Sequence, residues 1–203
     1  MTGKKNVSLP CAVGSTSYID TVKNSYYVDK TLLIRDLIDG HAAVTLFTRP
    51  RRFGKTLAVD MLKVFFEKTD EENSVYFRDK KIWDCGEFYR KQQGAYPVIY
   101  ITFKDVKFDN WKDSLEAIRL VIRDEYMRHA DILSWDGLDV VEKDYLDRMQ
   151  KGTLSNVEYT RALLNLSRML EKYHNKKIVV LIDEYDTPFI EAKTGNFYQE
   201  LKG

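Results

Sequence analysis

The sequence has few of the residues that mark secreted, membrane-spanning or metal-holding proteins. Its two cysteines, Cys11 and Cys85, have no metal-type spacing around them, so idle thiols are expected and a disulfide is the alternative. No apolar run approaches a membrane span, and residues 1–14 lack the apolar segment of a signal peptide. We therefore expect a cytoplasmic protein that does not bind membranes. The three histidines show no ligand spacing and are expected at the surface or hydrogen-bonded: His41, His129 and His174.

An excess of charge of one sign is also absent. The 32 basic and 31 acidic side chains leave a net charge of +1, which gives no overall reason to expect nucleic-acid binding, although local basic patches stay open. With 44% hydrophobic and 31% charged residues, the composition is typical of a folded globular protein and excludes a disordered chain. A length of 203 residues is enough for one domain with a substantial core.

The most informative motif of the sequence is a loop at residues 48–56, TRPRRFGKT. It lies between a short apolar run and an amphipathic segment, which is the strand, turn and helix order of a phosphate-binding loop. A helix N-terminus offers unpaired N–H groups and the positive end of the helix dipole to a polyphosphate. Lys55 would reach the outer phosphates, and the Thr56 hydroxyl would ligate Mg²⁺. Because Arg49 stands where the full pattern has glycine, a basic turn that caps an ordinary helix is the alternative.

A second motif follows the apolar run 178–182, where the chain continues as Asp183-Glu184-Tyr185-Asp186. A buried parallel strand would deliver Asp183 at its carboxyl end, where ligands of open α/β sheets collect and a carboxylate can hold Mg²⁺. Glu184 is placed to orient or deprotonate a water for attack on the γ-phosphate, with a cap or ion pair as the alternative. Asp186 is expected to cap the next helix or to act as a structural partner before Thr187 and Pro188. Together with the earlier Gly-Lys-Thr, the pair is fairly specific for a nucleoside-triphosphate site.

Apolar runs predict three buried strands, at residues 43–47, 97–103 and 178–182, with helical patterns between them. This alternation predicts an α/β fold with a parallel sheet covered on both faces. P-loop ATPases with a catalytic glutamate have an extra strand between the two motif strands, and the second run is a candidate for it. Residues 69–96 predict short helices and loops, and residues 135–151 predict a helical insertion.

Helix ends are expected at residues with capping side chains or at glycine. The expected positions are Asp29 and Asp109 as caps, Ser155 with Glu158 as a capping box, and Gly40 as a helix end.

Three segments together resemble the bacterial AAA-ATPase-like domain proteins: 27–31 (YVDKT), 49–56 (RPRRFGKT) and 181–186 (LIDEYD). They occur in the right order, and the resemblance covers nearly the whole chain, from Leu9 to about Glu200. The loop of that family usually has the same residues before its glycine and lysine, so Arg49 is similar to a family trait. The resemblance implies a three-layer P-loop NTPase core with a parallel sheet. An AAA-type core has further strands that carry a polar sensor residue and a distal arginine, so we expect truncation after the Asp-Glu strand.

The motifs and the resemblance imply a site for ATP and Mg²⁺. Residues 1–40 would form an N-terminal lead-in and helix, and residues 41–203 the incomplete ATPase-like core. Glu184 would activate water, and Thr56 and Asp183 would hold the metal. The nucleotide would be bound by loop residues that include two arginines, for which a solvated or ion-paired role is the alternative: Arg51, Arg52, Phe53, Gly54, Lys55, Thr56 and Leu57.

Several functions remain open beside Mg-dependent ATP hydrolysis in the intact protein. One is a nucleotide switch that binds ATP without turnover and positions a partner or a linked domain, since family members often carry a C-terminal domain similar to PD-(D/E)XK nucleases. Another is a nucleic-acid-binding domain with an empty loop. A homo-oligomer is a further expectation on partners. Asp29 and Lys30 would help to close a nucleotide pocket, with Tyr26 or Tyr27 near the base, or else belong to a capped helix with packed tyrosines.

Overall fold

The computed structural model describes residues 14–48 and 53–202, except for the side chains of residues 201 and 202. The chain divides into two compact units, Met1–Tyr96 and Pro97–Gly203. The predicted division after residue 40 stays a prediction. The predictions for Cys11, Arg49, Arg51 and Arg52 fall outside the described residues.

The first unit is built from short helices around one longer helix. Its elements, in chain order, are α1 (Tyr18–Asn24), α2 (Leu32–Gly40), α3 (Lys55–Phe66), a 3-10 helix (Asn73–Tyr76), α4 (Lys81–Asp84) and α5 (Glu87–Arg90). The short helices after α3 confirm the prediction for residues 69–96. Helix α3 supplies most of the buried hydrophobic side chains among the described residues of this unit: Val59, Met61, Leu62, Val64, Phe65 and Phe66.

Helix α1 is fixed to α3 through the fully buried Tyr18. Its backbone N–H donates to the Asp60 carboxylate at 2.6 Å, and its hydroxyl donates to the Tyr76 carbonyl at 3.0 Å. The ring stacks on Phe77 with centroids 5.0 Å apart. Burial raises the pKa of Asp60, although the hydrogen bond from Tyr18 opposes that rise. Tyr18 therefore joins α1 to α3 and to the 3-10 helix that follows it.

The second unit joins a two-stranded sheet to helices. Its elements are β1 (Val98–Thr102), α6 (Trp111–Arg128), a 3-10 helix (Ala130–Ser134), α7 (Val140–Lys151), α8 (Asn156–Tyr159), α9 (Ala162–His174), β2 (Val179–Asp183), α10 (Thr187–Thr194) and α11 (Tyr198–Lys202). The strands are parallel, with Val98 paired to Val179 and Thr102 paired to Asp183. This confirms two predicted strands, their direction, and an α/β fold class, in a chain that is mostly helical.

One face of the sheet carries the core of the second unit. Ile99 and Ile101 are fully buried against side chains of α6, α7 and α9, which include Tyr126, Met149 and Leu166. The register partners of the two isoleucines on β2 are much more exposed, with 44% of Val180 and 43% of Ile182 accessible to solvent. The sheet is thus well covered at β1 and less covered at β2.

The outer edge of β1 is closed by charged side chains from the end of α6. The Glu125 carboxylate accepts the N–H of Tyr100 at 2.8 Å and hydrogen bonds from Arg128. Arg128 and His129 in turn contact the Val98 carbonyl. These backbone groups are those with which a further strand would pair. The prediction that residues 97–103 supply a strand between two others is therefore wrong at this edge.

The predicted strand at residues 43–47 is absent from the structure. These residues have no strand hydrogen bonds, and Val44 and Leu46 are 86% and 61% exposed. A strand gains its stability from cross-strand pairs, and the described part of the first unit offers only an isolated bridge between Glu67 and Tyr96. An apolar run alone does not supply that neighbour.

Two predicted helix caps are replaced by neighbouring residues. The side chain of Asn110, not Asp109, accepts the N–H of Asp113 at the start of α6, at 2.9 Å. Asp29 lies two residues before the Thr31 cap position of α2 and does not cap that helix directly. Asparagine and aspartate cap helices about equally well, so the change at α6 is small, whereas no side chain makes a capping hydrogen bond at the start of α2.

The remaining predicted helix ends agree with the structure. Ser155 and Glu158 do form a capping box, although it begins the short α8, which precedes α9. Helix α2 ends at Gly40, with His41 in the left-handed region at φ 47°. Helix α7 confirms a helix within residues 135–151. In residues 14–48 and 53–202, no helix is both long and apolar enough to cross a bilayer.

Candidate functional site

The Gly-Lys-Thr segment forms the start of α3. Gly54 occupies the N-cap position with φ 71° and ψ 34°, a left-handed conformation that glycine adopts without steric cost. Its carbonyl accepts the N–H of Ala58 at 3.0 Å and so begins the helical ladder. The N–H groups of the first turn have no partner within the helix, and they carry the positive end of its dipole. The local geometry is that of a helix start with a left-handed glycine at its N-cap position.

Lys55 and Thr56 lie in this first turn and are half-buried. Among the described residues, no hydrogen bond or ion pair engages either side chain. Phe53, just before the turn, is 61% exposed, and Leu57 is half-buried. The five consecutive predicted residues therefore lie together at the start of α3: Phe53, Gly54, Lys55, Thr56 and Leu57.

The segment 26–31 is held firmly against the same helix. The Tyr27 hydroxyl lies 3.3 Å from the Met61 sulfur on α3 and accepts the N–H of Lys30 at 3.3 Å. Burial raises the pKa of Tyr27 to about 12. A Cβ atom built on Gly54 would lie 3.5 Å from the Lys30 Nζ atom. Lys30 therefore reaches the turn before α3 from a segment 24 residues earlier, whereas Tyr26 is 64% exposed.

Asp29 anchors this segment to α4. Its carboxylate accepts from the N–H and hydroxyl of Thr31, at 2.8 and 2.7 Å, and from the N–H of Lys81 at 2.8 Å. The Thr31 hydroxyl, fully buried, accepts the N–H of Ile82. Burial raises the pKa of Asp29, but these hydrogen bonds outweigh it, so the pKa lies below its ordinary value. The role of Asp29 in the structure is to fix the backbone on both sides of Lys30.

Asp183 ends β2 at the carboxyl edge of the sheet. Only 4% of it is exposed, and its carbonyl accepts the N–H of Phe103 at 3.1 Å. The adjacent Glu184 has φ 52°, a left-handed conformation that is costly for a residue with a Cβ. This turn separates the buried Asp183 side chain from the half-exposed Glu184 side chain. The local arrangement is a buried carboxylate followed by a half-exposed one.

The start of α10 contacts Glu184. The Thr187 hydroxyl donates to the Glu184 carboxylate at 3.3 Å, and the Thr187 N–H donates to the Glu184 carbonyl at 3.0 Å. Thr187 is only 6% exposed. Asp186 occupies the N-cap position of α10, but its side chain makes no capping hydrogen bond. Sequence reasoning missed Thr187, for which the spacing of three residues from Glu184 at a helix start was the available signal.

The predicted site residues fall into two local groups. The loop residues from Phe53 to Leu57 lie in the first unit, and Asp183 and Glu184 lie in the second. No cluster of three or more His, Cys, Asp or Glu side chains suited to a metal occurs in residues 14–48 and 53–202. Such clusters are not needed for Mg²⁺, which is usually held by one or two protein ligands with water and substrate phosphates. Thr56 and Asp183 each carry a side-chain oxygen, the kind of atom that Mg²⁺ prefers as a ligand.

The other titratable residues singled out by the sequence have structural surroundings. Cys85 is a free thiol whose sulfur donates to the Lys81 carbonyl at 3.3 Å. His129 is 8% exposed and contacts Glu125 and the Val98 carbonyl, which confirms the expectation of a hydrogen-bonded histidine. His41 lies exposed after α2. Glu125 and Arg128 were missed, although their spacing of three residues on α6 places them on one helix face.

Comparisons with known proteins agree with these motifs. The model of a family described as "Predicted AAA-ATPase" matches residues 12–202. A protein of Azotobacter chroococcum mcd 1, named "Uncharacterized protein in vnfD 5'region", is 28% identical over 187 residues. The aligned part covers 92% of this chain but only 30% of that relative. No solved structure gives a significant match. Since the family model spans nearly the whole chain, the protein belongs to the predicted AAA-ATPase family.

Proposed function

We propose that this chain binds Mg-ATP through a P-loop and that the intact protein hydrolyses ATP. The observation that carries the proposal is the left-handed turn at Gly54, which starts α3 with Lys55 and Thr56 in its first turn. The unpaired N–H groups and the helix dipole would neutralise part of the phosphate charge. Lys55 would contact the outer phosphates, with Arg51 and Arg52 as further cations.

The second group of residues would supply the metal and water chemistry. Asp183 and Thr56 would hold Mg²⁺, which neutralises charge on the transferred phosphoryl group. Glu184 would orient or deprotonate the attacking water. The buried position of Asp183 and the exposed turn at Glu184 support this division of roles. The proposal requires both groups to act on one bound nucleotide, which a double-mutant cycle between Lys55 and Asp183 would measure as coupling.

The proposed fold is the three-layer P-loop core, of which this chain would supply part. The support is the parallel pairing of β1 with β2, the closed outer edge of β1, and Asp183 at the carboxyl end of β2. Further strands of such a core would pair at the outer edge of β2. A linked nuclease-like domain, nucleic acid and a second copy of the chain stay predictions as partners, as does the cytoplasmic location.

Calorimetric titration of Mg-ATP into the 203-residue chain tests binding. We expect Lys55→Ala to weaken binding by about 10- to 100-fold, as for the loss of a hydrogen bond to a charged group. Lys63→Ala is the matched control, because Lys63 lies on the same helix eight residues, or roughly 12 Å, from Lys55. Equal affinity of Lys55→Ala and wild type, or no binding by wild type, contradicts the proposal.

A second experiment separates hydrolysis from a switch without turnover. In the intact protein, Glu184→Gln is expected to keep Mg-ATP affinity within about twofold while phosphate release falls about 10²- to 10⁴-fold, the usual contribution of a general base. If wild type binds ATP but releases no phosphate, the non-hydrolysing switch is the better description. If Glu184→Gln retains full turnover, Glu184 is not the base.

A further inference from the structure

We infer that Lys30 is a second phosphate-binding cation of the P-loop and contacts the same triphosphate as Lys55. The inference rests on the proposed function, to which it adds a residue outside the loop motif. It comes from the approach of Lys30 to the loop, where a Cβ atom on Gly54 would lie 3.5 Å from Nζ. The Lys30 ammonium therefore lies beside the turn whose N–H groups face the proposed phosphate position.

Lys30 is presented by a backbone that is fixed on both sides. Its own N–H donates to the Tyr27 hydroxyl, and Tyr27 packs on α3 through Met61 and edge-on against Tyr18. On the other side, Asp29 and the fully buried Thr31 are hydrogen-bonded to the start of α4. Little backbone entropy would be lost when this side chain contacts an anion.

The Lys30 ammonium group forms no ion pair with the described residues. Within the described residues, no carboxylate or hydrogen-bond acceptor engages its ammonium group, and the nearby Asp29 carboxylate is occupied by three other donors. The ammonium is exposed to solvent next to a helix start of the same sign. A polyphosphate bound at this helix start would accept hydrogen bonds from both the Lys30 and the Lys55 ammonium groups.

The glycine at position 54 fits this arrangement. Its φ of 71° favours glycine by itself, and a side chain there would also fill the space between the turn and Lys30. Tyr27 and Asp29 are then positioning residues, and Lys30 is the residue that touches the ligand.

Displacement of a fluorescent ATP analogue tests the inference with two competitors, Mg-ATP and inorganic tripolyphosphate. We expect Lys30→Met to weaken both competitors by about tenfold, in line with one charge-assisted contact. Lys91→Met is the matched control, since Lys91 belongs to the same unit, is 71% exposed in its side chain and is paired with Glu87. Lys30→Arg should restore most of the affinity, because the positive charge is kept.

The outcomes separate this inference from the proposed function. Binding that is lost in Lys55→Ala but unchanged in Lys30→Met overturns the role of Lys30 and leaves the P-loop in place. A loss for ATP without a loss for tripolyphosphate also overturns it, because Lys30 would then contact the base or ribose. Failure of the wild-type chain to bind either competitor overturns both proposals. Circular dichroism of Lys30→Met checks that the exposed substitution leaves the fold intact.

Discussion

The two edges of the sheet in the second unit differ in how their backbone groups are satisfied. At β1, the outer N–H of Tyr100 and carbonyl of Val98 are bonded to Glu125, Arg128 and His129. At β2, the described residues provide no such cover, and Val180 and Ile182 stay about half exposed. Natural proteins protect the edges of sheets against unwanted pairing. The difference indicates that β1 is an outermost strand, whereas β2 is able to accept a neighbour.

At the closed edge of β1, a carboxylate is buried together with its hydrogen-bond donors. Glu125 is 5% exposed, and its carboxylate contacts the Arg128 guanidinium, the His129 ring and the N–H of Tyr100. Burial raises the pKa of Glu125, but the hydrogen bonds from His129 and Arg128 outweigh it, so the pKa is lowered. Glu125 is thus held in its charged form, and its removal would leave the Arg128 guanidinium and the Tyr100 N–H without this partner.

The largest expected effect is the loss of this cluster. Glu125→Ala should destabilise the protein by about 3–5 kcal/mol, because it removes a nearly fully buried carboxylate that accepts from the Arg128 guanidinium and the Tyr100 N–H. Urea unfolding followed by circular dichroism measures it. Glu116→Ala is the matched control on the same helix, where an exposed pair with Arg119 is worth roughly 0–1 kcal/mol. Similar losses in the two variants would show that the closed edge owes little to Glu125.

The same substitution at two paired positions sharpens the comparison of the edges. Ile101 and Ile182 are register partners on the same face, but Ile101 is fully buried and Ile182 is 43% exposed. Ile101→Ala should cost about 2–5 kcal/mol, as in a packed core, and Ile182→Ala about half as much, since less surface leaves water. Chemical denaturation gives both values. Equal costs would mean that the edge of β2 is covered in solution.

Much of this unit could be predicted from the sequence, because local signals and tertiary structure agree there. The two apolar runs, the capping box at Ser155 and the apolar spacing on α6 each describe a short stretch of chain. The cluster at Glu125 was not predicted. Its residues have an ordinary helical spacing, and only the packing of α6 against β1 shows that they are buried.

In the first unit, local sequence patterns predict the structure less well. Residues 43–47 have the composition of a buried strand, yet they lie exposed, because composition does not tell whether a neighbouring strand is at hand. The helix start at Gly-Lys-Thr was predicted, since it depends on local backbone geometry. The approach of Lys30 to Gly54 depends on packing between segments 24 residues apart, and the sequence offered it only as one of two alternatives.

The closed edge also predicts a dependence of stability on pH. Because the folded-state pKa of Glu125 lies below its ordinary value, its stabilising contribution is fully present above about pH 4.3, the unfolded value. The contribution is lost as the pH falls through the folded-state pKa. Thermal melts between pH 3 and 6 should therefore fall less steeply towards acid in Glu125→Gln than in wild type. Parallel curves for the two proteins would contradict a lowered pKa.

The smallest expected effect on stability is at Glu184, the residue after β2. Glu184 adopts a left-handed conformation, which costs a residue with a Cβ about 1–2 kcal/mol. A glycine at this position would avoid part of that cost. Glu184→Gly should therefore be more stable than Glu184→Ala by about 0.5–1 kcal/mol, although both variants lack the carboxylate. Asn175→Gly against Asn175→Ala is the control at a second left-handed position, where the strain follows a helix and not a strand. If glycine is more stable than alanine at position 175 but not at position 184, Glu184 does not keep its left-handed conformation in solution. The turn after Asp183 would then not hold the two acidic side chains in different environments.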